Sequence, residues 1–121
     1  MPGESSGDQV YAKYTEEAEL RKYRDTYGNI PYDRWFNSLR DLRAKHRVQI
    51  RVERLGLGLE GDAKSVGEGV RELRVPEGKG YRVYYARDGE RVVLLLCGGD
   101  KSTQAKDIRR ARRYWRDYKD E

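Results

Sequence analysis

The chain has 121 residues, 26 of them Lys or Arg against 21 Asp or Glu, giving a formal net charge of +5 with 39% of positions charged. That length suits one small domain, and a single Cys97 with a single His46 excludes a disulfide framework and a zinc site of His and Cys ligands. No apolar run approaches the roughly 20 residues that span a bilayer, and Met1 to Gln9 lacks the charged-then-apolar pattern of an export signal. The reading is a cytoplasmic protein with no membrane partner, no cofactor and no metal.

Residues 1–18 show no apolar periodicity and read as a flexible leader, leaving residues 19–121 as a single domain. Leu20 to Arg24 suits a short strand. Gly28-Asn29 signals a turn, and Pro31 suits the first turn of a helix on which Trp35, Leu39 and Leu42 recur along one face. A second helix over about Arg43 to Leu57 places Ala44, Val48, Val52 and Leu55 on one face. Arg43, Arg47, Arg51 and Arg54 lie beside them, and Gly56 and Gly58 can end the helix. The two helices read as a hairpin whose apolar faces cover one side of a sheet.

From Lys64 the period shortens to two. Val70–Val75 and Tyr81–Arg87 alternate, and Asp88-Gly89 predicts a two-residue turn into a third strand over Glu90–Cys97. The unbroken apolar centre of that strand predicts a middle or doubly covered position. Gly67 and Gly69, without a strand before them and a helix after, read as loop residues and not a phosphate cradle. Beyond Gly98-Gly99, Ser102 suits a cap, Asp100 is a second capping candidate, and Ile108, Ala111, Trp115 and Tyr118 form the apolar stripe of a C-terminal helix. The fold class is α+β: an N-terminal helical hairpin packed on a small antiparallel meander, with a C-terminal helix.

A two-residue turn at Asp88-Gly89 places Tyr84 opposite Val93 and Arg82 opposite Leu95. Val75 facing Tyr81 places Arg74 opposite Arg82. Alternation then sends Leu73, Val75, Tyr81, Val83, Tyr85, Leu94 and Leu96 to one face, and Arg74, Arg82 and Tyr84 to the other. Facing arginines repel unless an acid or a bound anion compensates, and Glu72 shares their face. Lys101, just past the third strand, reaches the same corner. Three converging cations suit phosphate. The charge pattern agrees: residues 31–60 carry 7 basic and 4 acidic groups and residues 101–121 carry 8 and 4, which suits a polyanion or a solvated Arg-rich surface.

The segment Asp62 to Arg74, the Gly80-Tyr81-Arg82-Val83-Tyr84-Tyr85 stretch and the run Leu94 to Gln104 together resemble the RelE/ParE superfamily of toxin–antitoxin toxins, in its HigB-like branch. The resemblance covers roughly residues 19–118. It implies a compact RelE-like α+β toxin with helices on one face of the sheet, held inactive by a cognate antitoxin and meeting operator DNA only in complex with it. RelE-type relatives cut messenger RNA on the ribosome, without a metal, by attack of the 2′-hydroxyl on the adjacent phosphate. ParE-type relatives inhibit DNA gyrase without nuclease chemistry. Fold alone does not choose between them.

By that resemblance Arg82 matches the sheet arginine set against the scissile phosphate, Arg74 a basic position on the preceding strand, and Lys101 the basic residue after the last strand. Two departures stand out: Glu72 occupies a position that is basic in RelE, and residues 102–113 contain no Tyr to match its C-terminal one. Tyr84 is then a candidate base, because adjacent cations favour a phenolate, with sheet packing as its alternative role. Arg43, Arg47, Arg51, Arg54, Arg109 and Arg113 are candidate contacts to RNA backbone or to acidic antitoxin segments. The leading expectation is a ribosome-dependent messenger RNA endonuclease. A gyrase inhibitor and a non-catalytic basic RNA-binding module are the alternatives.

Overall fold

A computed structural model describes residues 17–121, so the leader read over residues 1–18 lies outside the described residues except for its last two positions. Five strands form one sheet: β1 (Glu19–Lys22), β2 (Ala63–Ser65), β3 (Val70–Val75), β4 (Tyr81–Asp88) and β5 (Val92–Gly99), in the order β1-β5-β4-β3-β2. Three helices join them: α1 (Pro31–Ser38), α2 (Leu42–Gly56) and α3 (Gln104–Lys119), the last preceded by a 3-10 turn over Lys101–Thr103. Among the described residues no helix is long and apolar enough to cross a membrane.

The α+β class stands, and three expectations are corrected. First, the sheet is mixed and not an antiparallel meander, because β1 runs parallel to β5 with Glu19 opposite Val92 and Lys22 opposite Leu95. Second, α1 and α2 do not form a packed hairpin. Each rests on the sheet, α1 on β5 and α2 across β3 and β4. Third, helices cover both faces. Ala44, Val48, Val52 and Leu55 of α2 meet Leu73, Val83 and Tyr85 on one side, while Ala111 and Trp115 of α3 meet Val70, Tyr84 and Ala86 on the other.

The first helix also stops earlier than its apolar stripe predicts. Residues 39–41 leave the helix, and the Asp41 side chain caps α2 by accepting the Ala44 N–H at 3.1 Å, so Leu42 opens the next helix and is 76% exposed. Loss of such a cap costs about 1 kcal/mol. Asp41→Ala should therefore lower the melting temperature by about 4 °C, and a calorimetric scan with an unchanged midpoint would show that the cap is redundant.

The register between β3 and β4 follows the alternation, with Arg74 opposite Arg82 and Val75 opposite Tyr81. The β4–β5 register does not. Asp88 pairs with Val92, so three residues, Gly89 to Arg91, make the turn, and β5 carries an extra residue, Leu96, between the pairs Tyr85–Leu95 and Tyr84–Cys97. Arg82 therefore faces Gly99 and not Leu95, and Tyr84 faces Cys97 and not Val93. The one-residue change moves side chains across the sheet. Val93 and Leu95 join the core under α1 and α2, while Leu94 and Leu96 pack beneath α3.

Candidate functional site

Because Arg74 and Arg82 are register partners, their side chains leave the same end of the same face. Lys101, two residues past β5, is brought to them by the backbone, where its N–H donates to the Lys79 carbonyl at 3.4 Å. Arg74, Arg82 and Lys101 thus line one open cleft of about 360 Å³, shared with Asp62, Gly80 and Tyr81. Gly80 sits at φ +75, a conformation costly for any side chain, and its carbonyl accepts the Arg82 Nη1 hydrogen at 2.6 Å.

Each cation is held differently. Arg74 is half-exposed and donates to Asp62 Oδ1 from Nε at 3.2 Å and from Nη2 at 2.9 Å. Glu72 is not the neighbour that neutralises Arg74. It turns inward, where its Oε2 accepts from the Tyr84 hydroxyl at 3.0 Å and the Gln104 amide at 2.8 Å and lies 3.5 Å from Arg82 Nε. The Arg82 side chain is only 12% exposed, and its Nη2 has no partner among the described residues. Lys101 is exposed and makes no ion pair among the described residues. The arrangement offers an anion one anchored guanidinium, one carboxylate-paired guanidinium and one exposed point charge.

Tyr84 does not line this cleft. Its ring is fully buried, and burial first, then the Glu72 carboxylate, pushes its hydroxyl well above the ordinary tyrosine range despite the opposing pull of Arg82. The phenolate expected from nearby cations is therefore disfavoured here. Tyr32 and Tyr85 are likewise buried and raised, Tyr85 also by its hydrogen bond to Glu60.

All three hydroxyls keep protons in the native state that the unfolded chain releases from pH about 10. Raised native values mean that the part these hydroxyls play in stability is level below that pH and falls as pH rises above it, by up to about 1.4 kcal/mol per pH unit for each group, and the buried Cys97 thiol, raised in the same way, starts the same loss at about pH 8.5. Urea midpoints measured from pH 8 to 11.5 should begin to fall at about pH 9 and drop more steeply above about pH 10. A midpoint still flat at pH 11.5 would contradict the burial of these hydroxyls.

The remaining predicted positions separate. Asp100, and not Ser102, is the cap: its Oδ1 accepts the Ser102 N–H at 2.8 Å, and the Ser102 hydroxyl and amide hold its carboxyl below the usual range. Cys97 is buried, and that burial pushes its thiol up to about 12, as suits an inert core residue. Arg51 is structural, donating to the carbonyls of Arg74 at 2.8 Å and Glu60 at 3.4 Å. Arg43 is exposed and paired with Glu77 at 2.9 Å, while Arg47 and Arg54 are exposed on α2. Arg109 and Arg113 are exposed on α3, and Arg113 lies over the Tyr114 ring. Since α2 and α3 cover opposite faces, the two basic clusters do not form one surface.

Sequence reasoning missed Asp62 and Gln104. Asp62 precedes β2, a strand of three residues too short to show periodicity, and Gln104 reaches Glu72 only because α3 packs on that face.

Residues 34–116 match the family described as phage derived protein Gp49-like (DUF891). An uncharacterized protein of Haemophilus influenzae is 51% identical over 83 residues, which is 69% of this chain and 84% of that protein.

Proposed function

The chain belongs to the Gp49-like family of phage-derived proteins, a toxin-like family related to the RelE/HigB type, and from that premise we propose that it is a ribosome-dependent messenger RNA endonuclease with a RelE-like arrangement of its site. A family of this kind is consistent with a toxin–antitoxin toxin and implies a cognate antitoxin. The observation that carries the finer reading is the meeting of Arg74, Arg82 and Lys101 in one cleft at the end of the sheet. Cations aimed at developing charge commonly supply the largest share of such catalysis.

In this reading the RNA 2′-oxygen forms a bond to the adjacent phosphorus while the bond to the 5′-oxygen breaks, leaving a cyclic phosphate and a free 5′-hydroxyl. Arg82 contacts the phosphate oxygens, and Lys101 stabilises the transition state and gives a proton to the departing oxygen. Asp62, the acidic side chain of the cleft, is the carboxylate within reach to take the proton from the 2′-hydroxyl. Exposed Arg47, Arg54, Arg109 and Arg113 serve as sequence-independent contacts to ribosomal RNA or to the antitoxin.

Induced expression in bacteria tests this. The expected result is rapid arrest of translation, with message ends mapping to codons in the ribosomal A site and relief by the adjacent antitoxin. A DNA-damage response with intact messages would favour gyrase as the target. Growth arrest with neither sign would favour RNA binding without chemistry.

A further inference from the structure

Glu72 is fully buried, and with Asp107 it is one of two charged residues in the interior among the described residues. A carboxylate placed there by strand alternation is costly unless it is hydrogen-bonded and paired with a cation. Three elements meet that need. Tyr84 from β4 and Gln104 from α3 both donate to Oε2, at 3.0 and 2.8 Å, and hold that oxygen in place. Arg82 from β4 brings its Nε to 3.5 Å from the same oxygen, and Lys64 of β2 reaches to 4.0 Å of Oε1.

Two buried atoms in this cluster have no hydrogen-bond partner, Glu72 Oε1 and Arg82 Nε. The contact between the two side chains is therefore an ion pair at 3.5 Å and not a closed hydrogen bond. Arg82 is held at two points, by the Gly80 carbonyl on Nη1 and by the Glu72 charge opposite Nε, which leaves Nη2 for the cleft.

We propose that Glu72 is a positioning residue, whose buried carboxylate, locked by Tyr84 and Gln104, holds the Arg82 guanidinium from below and sets the direction in which it meets an RNA phosphate. This rests on the nuclease reading above. A guanidinium fixed before the substrate arrives loses little freedom on binding, and displacement of a reacting contact by about 1 Å can cost ~100-fold in rate.

The sign of one substitution separates positioning from bare electrostatics. Glu72→Gln keeps the shape but deletes a negative charge near the cleft. If charge alone mattered, RNA would bind more tightly and be cut at least as fast. Positioning requires the opposite for the chemical step: kcat falls by about 100-fold while KM for ribosomes programmed with message is unchanged or lower.

The experiment compares wild type, Glu72→Gln, Arg82→Lys and the double variant in cleavage of message on purified ribosomes, with thermal melts and capture by the antitoxin as checks on folding. Lysine has no second point of attachment, so Glu72→Gln should add nothing to Arg82→Lys. Should Glu72→Gln fail to fold, Tyr84→Phe removes one of the hydroxyl and amide donors that lock the carboxylate, at nearly constant volume, and should slow cleavage by about 10-fold.

Cleavage at the wild-type rate by folded Glu72→Gln, or by Tyr84→Phe where it must stand in, overturns the proposal while leaving the nuclease reading intact. The same holds for an additive loss in the double variant, which is the mark of a merely structural role. A wild-type protein that cuts no message overturns the nuclease reading itself, and the role of Glu72 with it.

Discussion

Replacing Arg82 with alanine is expected to lower message cleavage by about 10²–10³-fold, the usual cost of removing one donor aimed at developing charge, and so to abolish toxicity. The guanidinium is the only one of the three cleft cations that is largely buried, and its Nη2 has no competing partner among the described residues. Arg74 already spends its donors on Asp62, so Arg74→Ala should cost less. The alanine variant also leaves the buried Glu72 carboxylate without its nearest cation, a loss of the order of 3 kcal/mol. Its folding must therefore be verified by antitoxin capture and melting. Arg82→Lys retains the charge and loses the two-pronged geometry, and it should be more stable than the alanine form yet nearly as inactive. Full toxicity of folded Arg82→Ala, measured as growth after induction, would remove the cleft from consideration as the reaction site.

Gly99→Ala should produce the largest loss of stability of any single-methyl addition. A Cβ at Gly99 lies far inside van der Waals contact distance of Asp107 Oδ2 and 2.7 Å from its Cγ. Asp107 cannot retreat cheaply, because it is 2% exposed and held by the Thr103 hydroxyl at 2.5 Å and Arg110 Nη2 at 2.9 Å. Moving it breaks both bonds and strands a buried carboxylate, for a cost of about 3 kcal/mol or more, or roughly 12 °C in the melting midpoint. Gly98→Ala makes a similar collision with the Trp35 ring on the other face, but Trp35 is only partly buried and can swing outward. The ranking, with Gly99 worse than Gly98, is what calorimetry should return. Equal midpoints would mean that Asp107 has more freedom than its contacts imply.

The β3–β4 pairing was legible because Leu73-Arg74-Val75 and Tyr81-Arg82-Val83 alternate on either side of a turn that contains Pro and Gly, so Arg74 and Arg82 could be set opposite each other from the residues alone. The central position of β5 was legible from its unbroken apolar run, and it does lie between β1 and β4. The β4–β5 register was misread because Asp88-Gly89 is a strong two-residue signal, yet the turn takes in Glu90 and Arg91 and a bulge follows at Leu96. Glu72 escaped for a different reason. Local alternation marks a charged strand residue as solvent-facing, and only the packing of α3, which brings Gln104 over the sheet, turns that position into interior. For Tyr84 the residues left a base and a sheet-packing role open, and its burial favours packing, since whether a phenol near cations ionises depends on how much water reaches it.

The parallel pairing of β1 with β5 joins residues more than 70 positions apart, Glu19 with Val92. Such distant closure is slow and must wait for its partner strand. β5 follows β1 with two helices and three strands between them, and Gln104, which completes the lock on Glu72, comes later still in the chain. A chain cut before β5 would therefore lack both the partner on which β1 closes and the amide that locks Glu72 beneath Arg82.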